Sequence, residues 1–119
     1  VTGAITLAAA TTVQSDAGTL SINGGITGAF PMTVEGAGNT SINGIIGTAA
    51  GTLIKNGAGT LTLANANTYT GLTTINDGTV NVTNATGLGT TAAGTTVNTG
   101  GTLNISGVTI GEALTINGT

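Results

Sequence analysis

Histidine, cysteine, tryptophan and arginine are all absent, and Lys55 is the single cation. Each absence removes a class of chemistry. Without His or Cys there is no zinc site of the usual kind, no cysteine nucleophile, no histidine-dependent triad and no disulfide framework. One cation in 119 residues cannot track a phosphate backbone or an anionic lipid surface, which excludes nucleic acid and anionic membrane as partners. The aromatics are Phe30 and Tyr69, too few for a ring-lined sugar-binding face. Charged residues make up 4% of the chain, against roughly 25% in an average soluble protein. Mean hydropathy is +0.41, yet the longest apolar runs, Leu7–Ala10 and Gly44–Gly47, fall far short of a membrane span.

What is present is narrow in kind. Thr (28), Gly (22) and Asn (12) account for 62 of the 119 residues. The apolar 39% is mostly Ala, Ile, Leu and Val, which low-charge disordered chains usually lack. Thr, Gly, Asn and Val are poor helix formers, and no apolar period near 3.6 is visible. Short segments instead alternate apolar and polar: Leu20-Ser21-Ile22, Leu61-Thr62-Leu63, Val80-Asn81-Val82 and Leu103-Asn104-Ile105. That is the period of a half-buried strand.

These strands recur. Each is preceded by Gly-Thr, at Gly18-Thr19, Gly59-Thr60, Gly78-Thr79 and Gly101-Thr102, with a weaker copy at Gly38-Asn39. Their first positions, 20, 40, 61, 80 and 103, are separated by 20, 21, 19 and 23 residues. A second family has the same period: Met32-Thr33-Val34, Leu53-Ile54, Thr73-Thr74-Ile75, Thr95-Thr96-Val97 and Leu114-Thr115-Ile116, with Val13 joining it. A third, looser set comprises Ile5 and Leu7, Ile26, Ile45 and Ile46, Tyr69, Leu88, then Val108 and Ile110. Between the second family and the next Gly-Thr lies a turn carrying Asp16, Asn56, Asn76, Asn98 or Asn117. Asn and Asp tolerate left-handed backbone angles, and Gly adopts them without steric cost.

Three short strands per unit, repeated about six times at ~20 residues, predict an all-β parallel solenoid, one repeat module over residues 1–119. An antiparallel β-sandwich is the rival, with Asn56-Gly57 and Asn76-Asp77-Gly78 as hairpin turns. It leaves the recurrence unexplained. In the solenoid, Asp16, Asn56, Asn76, Asn98 and Asn117 are expected to stack as a turn ladder, with amides bonded from rung to rung. Gly18, Gly59, Gly78 and Gly101 are the repeat-motif glycines.

The segment from Gly57 to Thr79, GAGTLTLANANTYTGLTTINDGT, resembles the passenger-associated transport repeat, also called the autotransporter-associated β-strand repeat. Gly18–Gly28 and Gly94–Gly107 resemble it in more degenerate form. The resemblance implies a right-handed β-helix in a large secreted protein of the bacterial surface, exported through an outer-membrane barrel of the parent protein. It implies a stalk or fibre, with folding of the repeat assisting export, and it carries no catalytic residues. The chain begins at Val1 without a signal peptide and contains no C-terminal barrel, so it reads as a mature product or a segment of a longer one.

No enzyme, cofactor or metal is expected. The acids Asp16, Glu35, Asp77 and Glu112 are scattered, whereas β-helical lyases and hydrolases cluster carboxylates with cations. Asp16 and Asp77 read as turn caps. Lys55 reads as a solvated group near a turn; a self-formed isopeptide would need it buried beside an Asn and an acid. Thr60-Leu61-Thr62 and Thr68-Tyr69-Thr70 are T-x-T triplets, which makes an ice-binding face one alternative function; a glycan-binding adhesin, the other, should show a loop insertion on one face, and length varies only modestly, chiefly at Ala85–Gly94. The triplets do not recur at the repeat period. Gly118-Thr119 followed by Val1-Thr2 would continue the pattern of Gly78-Thr79-Val80-Asn81. Copies of the chain, or adjacent repeats, are therefore the expected partners, end to end, outside the cell.

Overall fold

The computed structural model describes residues 3–90, 94–108, 110 and 113–117; Val1, Thr2, Glu112, Gly118 and Thr119, which figure in the expectations above, lie outside them. Among the described residues, fourteen strands, numbered in chain order, form three parallel sheets. The first face holds β1 (Ile5–Thr6), β4 (Ile26–Thr27) and β7 (Ile46–Gly47). The second holds β2 (Thr11–Gln14), β5 (Met32–Glu35), β8 (Leu53–Lys55), β10 (Thr73–Ile75), β12 (Thr95–Val97) and β14 (Leu114–Ile116). The third holds β3 (Thr19–Ile22), β6 (Asn39–Ile42), β9 (Thr60–Leu63), β11 (Gly78–Val82) and β13 (Gly101–Ile105). Every pairing joins a strand to its counterpart in the next turn, giving a β-solenoid of about five turns some 21 residues apart.

The register is the one the recurrence predicts. Leu20, Thr40, Leu61, Val80 and Leu103 pair in succession on the third face. Met32, Leu53, Thr73, Thr95 and Leu114 do so on the second. Because side chains alternate across a strand, each such file runs through the interior at the strand spacing of about 4.8 Å. A second file on each face, Ile22–Ile42–Leu63–Val82–Ile105 and Val13–Val34–Lys55–Ile75–Val97–Ile116, completes the lining. Most of these apolar residues are fully buried except at the two ends of the stack. Between the two interior files of the second face runs an outward one, Thr12, Thr33, Ile54, Thr74, Thr96 and Thr115. Branching at Cβ suits both Thr and Ile to that pleated position.

The first face departs from the expectation of a third strand in every turn. Among the described residues, strands occur in three turns only; Tyr69 and Leu88 enter the core from segments that are not strands. The reason is Asn67. Its buried carboxamide accepts from the Ile46 N–H at 2.8 Å and donates to the Gly87 carbonyl at 2.7 Å. The side chain thus supplies the two hydrogen bonds that a strand residue would supply from its backbone. Thr68 and Tyr69 N–H groups both reach the Ile46 carbonyl, at 3.0 and 3.2 Å. Beyond Asn67, a turn closed by Gly87 N–H to Asn84 O (2.9 Å) folds Leu88 inward. The Tyr69 hydroxyl, fully buried, hydrogen-bonds the Thr73 hydroxyl.

One interior position is mismatched to its file. Thr40 is 2% exposed between Leu20 and Leu61, and its hydroxyl has no hydrogen-bond partner. Thr40→Val keeps the shape and removes a buried unpaired group, so it should raise stability by about 1 kcal/mol. Urea denaturation with an unchanged m-value checks this.

Candidate functional site

One residue past the second face, the files continue into the turns. The position after Lys55, Ile75, Val97 and Ile116 is Asn56, Asn76, Asn98 and Asn117. Each carboxamide donates to the one below: Asn76 Nδ2 to Asn56 Oδ1 at 2.9 Å, Asn98 to Asn76 at 2.7 Å, and Asn117 to Asn98 at 3.0 Å. The backbone reinforces the stack, with Asn56, Asn76, Asn98 and Asn117 N–H groups donating to Val34, Lys55, Ile75 and Val97 carbonyls. Four of the five turn-ladder residues are therefore brought together.

Asp16 is not. The register puts Gln14 and Glu35 in the ladder's file, and Asp16 lies two residues further on. The first turn is longer than the rest: Val13 to Leu20 is a step of seven residues, where Val34 to Thr40 is six. Asp16 accepts instead from Gln14 Nε2 at 2.7 Å. At the far end of the third face a shorter amide pair appears, Asn43 Nδ2 to Asn23 Oδ1 at 2.8 Å. Its sequence signal was Ile-Asn-Gly, present at 22–24 and 42–44.

The repeat glycines serve different needs. Gly18 has φ +69° and open space around it, so its need is conformational. At Gly59 the constraint is contact: a Cβ there would stand 1.8 Å from the Gly38 carbonyl oxygen of the rung below. Gly101 meets the Ile75 carbonyl in the same way at 2.6 Å, and Gly78 lies over the turn that follows Lys55.

Lys55 is the main departure from expectation. It is not solvated; at 2% exposure it occupies an interior file between Val34 and Ile75. Its ammonium donates to the Asn56 carbonyl at 2.8 Å and the Gly57 carbonyl at 2.7 Å. Both acceptors are main-chain carbonyls, a geometry for hydrogen bonding rather than for attack on a side-chain carboxamide. Desolvation lowers its pKa below the ordinary lysine value of 10.5, and the Asp77 carboxylate opposes that shift in part. Strand phase was the signal: Leu53 in, Ile54 out, Lys55 in. Asn67 was missed for a different reason, since a lone buried Asn carries no periodic signature. Among the described residues no group of three or more acids, His or Cys is placed to hold a metal ion. No helix among them is long and apolar enough to cross a membrane.

The segment that carries Lys55, Asn67, Tyr69 and the central ladder amides spans β8 to β11. Residues 53–82 match the family model of the passenger-associated-transport-repeat. No curated protein and no solved structure matches the chain. The transport repeat, together with the solenoid, fits an autotransporter passenger module. It begins with the first residue of β8 and ends with the last of β11, so it takes in two strands on each of the two longer faces.

Two expectations follow. Gly59→Ala should cost upwards of about 4 kcal/mol or abolish folding, because backbone meets backbone. Gly18→Ala should cost only about 1–2 kcal/mol for its left-handed backbone; thermal melts of the pair make the comparison. The second concerns pH. Lys55 holds its proton less tightly when folded than when unfolded, so between its lowered pKa and 10.5 the unfolded chain binds more protons. Stability from Lys55 is therefore flat below that window and rises with pH through it. The difference in unfolding free energy between wild type and Lys55→Met, measured from pH 7 to 11, should grow in favour of the wild type across the window.

Proposed function

We propose that this chain is a structural, non-catalytic segment of a secreted bacterial surface protein, serving as part of a stalk or extracellular fibre built by stacking rungs. The observation that carries this is the open end of the stack. In β14, Leu114 is 40% and Ile116 69% exposed, although Leu53, Ile75 and Val97 in the same two files are buried. Such a strand edge with apolar residues at interior positions calls for another rung of the same kind. Asn117 adds to this, since its Oδ1 is the next acceptor position of the ladder.

The occupant of that edge is a further repeat, supplied by the parent polypeptide or by a second copy joined end to end. The parent protein would supply the outer-membrane barrel for export. The adhesin alternative calls for an inserted loop on one face. The described part of the longest irregular stretch, residues 84–90, instead turns Leu88 into the core, which favours the structural reading.

Electron microscopy and fibre diffraction over a range of concentrations test this. Concentration-dependent filaments with a meridional reflection near 4.8 Å are expected. Monodisperse particles at high concentration, whose length does not grow when repeats are added in tandem, would refute it.

A further inference from the structure

The open edge of β14 makes defined demands on whatever covers it. Between turns of the second face, backbone hydrogen bonds follow two series. In the first, the N–H groups of Thr11, Met32, Leu53, Thr73 and Thr95 donate upward to the carbonyls of Pro31, Thr52, Leu72, Gly94 and Ala113, at 2.9–3.2 Å. By register the next donor is Leu114. In the second, the N–H groups of Asn56, Asn76, Asn98 and Asn117 donate downward to the carbonyls of Val34, Lys55, Ile75 and Val97. By register the next acceptor is the Ile116 carbonyl. A covering strand must therefore bring a carbonyl for Leu114, an N–H for Ile116 and a carboxamide donor for Asn117 Oδ1. It must also bring inward side chains over Leu114 and Ile116, which are 40% and 69% exposed.

The chain holds such a strand at its other end. β2 is the outermost strand of the second face on that side, paired with β5 along one edge. One rung above β14 in the common register, Thr11 follows Leu114, Thr12 follows Thr115, Val13 follows Ile116 and Gln14 follows Asn117. The Ala10 carbonyl then accepts from the Leu114 N–H, and the Gln14 N–H donates to the Ile116 carbonyl. Val13, half-buried at its own open edge, covers Ile116 and continues a file whose inner members are buried. Gln14 is the carboxamide. Its Nε2 gives one hydrogen to Asp16 Oδ1 at 2.7 Å; a primary amide has two, and the second reaches Asn117 Oδ1. We propose that β2 of a second copy seats on β14, so that copies of this chain join end to beginning through Asn117 and Gln14. This rests on the stacked-rung reading above and narrows it, with a second copy as the occupant and the register of the junction fixed.

Cysteine is absent from the chain, so cross-linking reads the junction directly. Thr12 and Thr115 are exposed in the outward file of the second face, at its two ends. Within one chain they are five rungs apart, about 24 Å, too far for a disulfide. Across the junction they stand about 4.8 Å apart, within disulfide range. The single variants T12C and T115C of the full chain are oxidised at high concentration, alone and mixed, and separated on non-reducing gels. The mixture is expected to give a dimer containing one chain of each, and the double variant T12C/T115C a ladder of multimers. Dimers of T115C alone, as abundant as the mixed dimer, would overturn the proposal, because they place like ends together. Adding Gln14→Met to the T12C chain keeps the side-chain length and removes the donor. It should lower the mixed-dimer yield about fivefold; an unchanged yield overturns the register. A mixture that fails to cross-link, while a tandem fusion of two copies still doubles the particle length in electron microscopy, overturns the second copy as occupant and leaves the stacked-rung reading standing. If the fusion does not lengthen the particle either, both fall.

Discussion

A single turn of this chain cannot bury its own apolar side, and that constraint shapes everything else. Three short strands enclose no volume; only a neighbour at about 4.8 Å on each side closes the interior. The files are the result. Once backbone pairing fixes the spacing, each residue's environment is set by the residue one turn before and one turn after. Glycine at position 59 follows from this, because the chains approach backbone to backbone. So does the asparagine ladder, since a carboxamide repeated at that spacing can donate downward and accept from above.

The same constraint shapes the surface. Function in a solenoid comes either from an insertion that breaks the repeat or from the repeat itself. The described residues show turns that differ by one or two residues and a core that admits even the irregular segment around Leu88. With extents of 37 × 31 × 27 Å the stack is scarcely longer than it is wide. The transport-repeat model matches one stretch of it, residues 53–82.

Much of this was legible in the residues. Gly-Thr punctuation anchored the phase of the third face, and alternation then gave its register without slippage. The second face followed from the same period. The first face was not legible as it stands, because Asn67 replaces a strand by means of one side chain, a substitution that leaves no pattern to count. Asp16 was misplaced because a turn lengthened by one residue shifts the ladder position onto Gln14, a residue of different length. Lys55 was read by its charge when its phase pointed inward. In a file of Val and Ile, the general preference of lysine for solvent yielded to a local one: two turn carbonyls placed where an ammonium ends.

The ladder amides all point the same way. The N–H groups of Asn117, Asn98 and Asn76 look toward the beginning of the chain, and the oxygens of Asn98, Asn76 and Asn56 toward its end. Aligned amide dipoles add, as they do along a helix axis, so the file is electrically polarised along the solenoid. It ends in an oxygen at Asn117, and at the other end it runs into Glu35, a carboxylate that accepts but cannot donate. Two such stacks placed tail against tail would oppose oxygen to oxygen, whereas head against tail continues the series. Any structure grown from these rungs therefore has a direction, with two chemically unlike tips, and its subunits all face the same way.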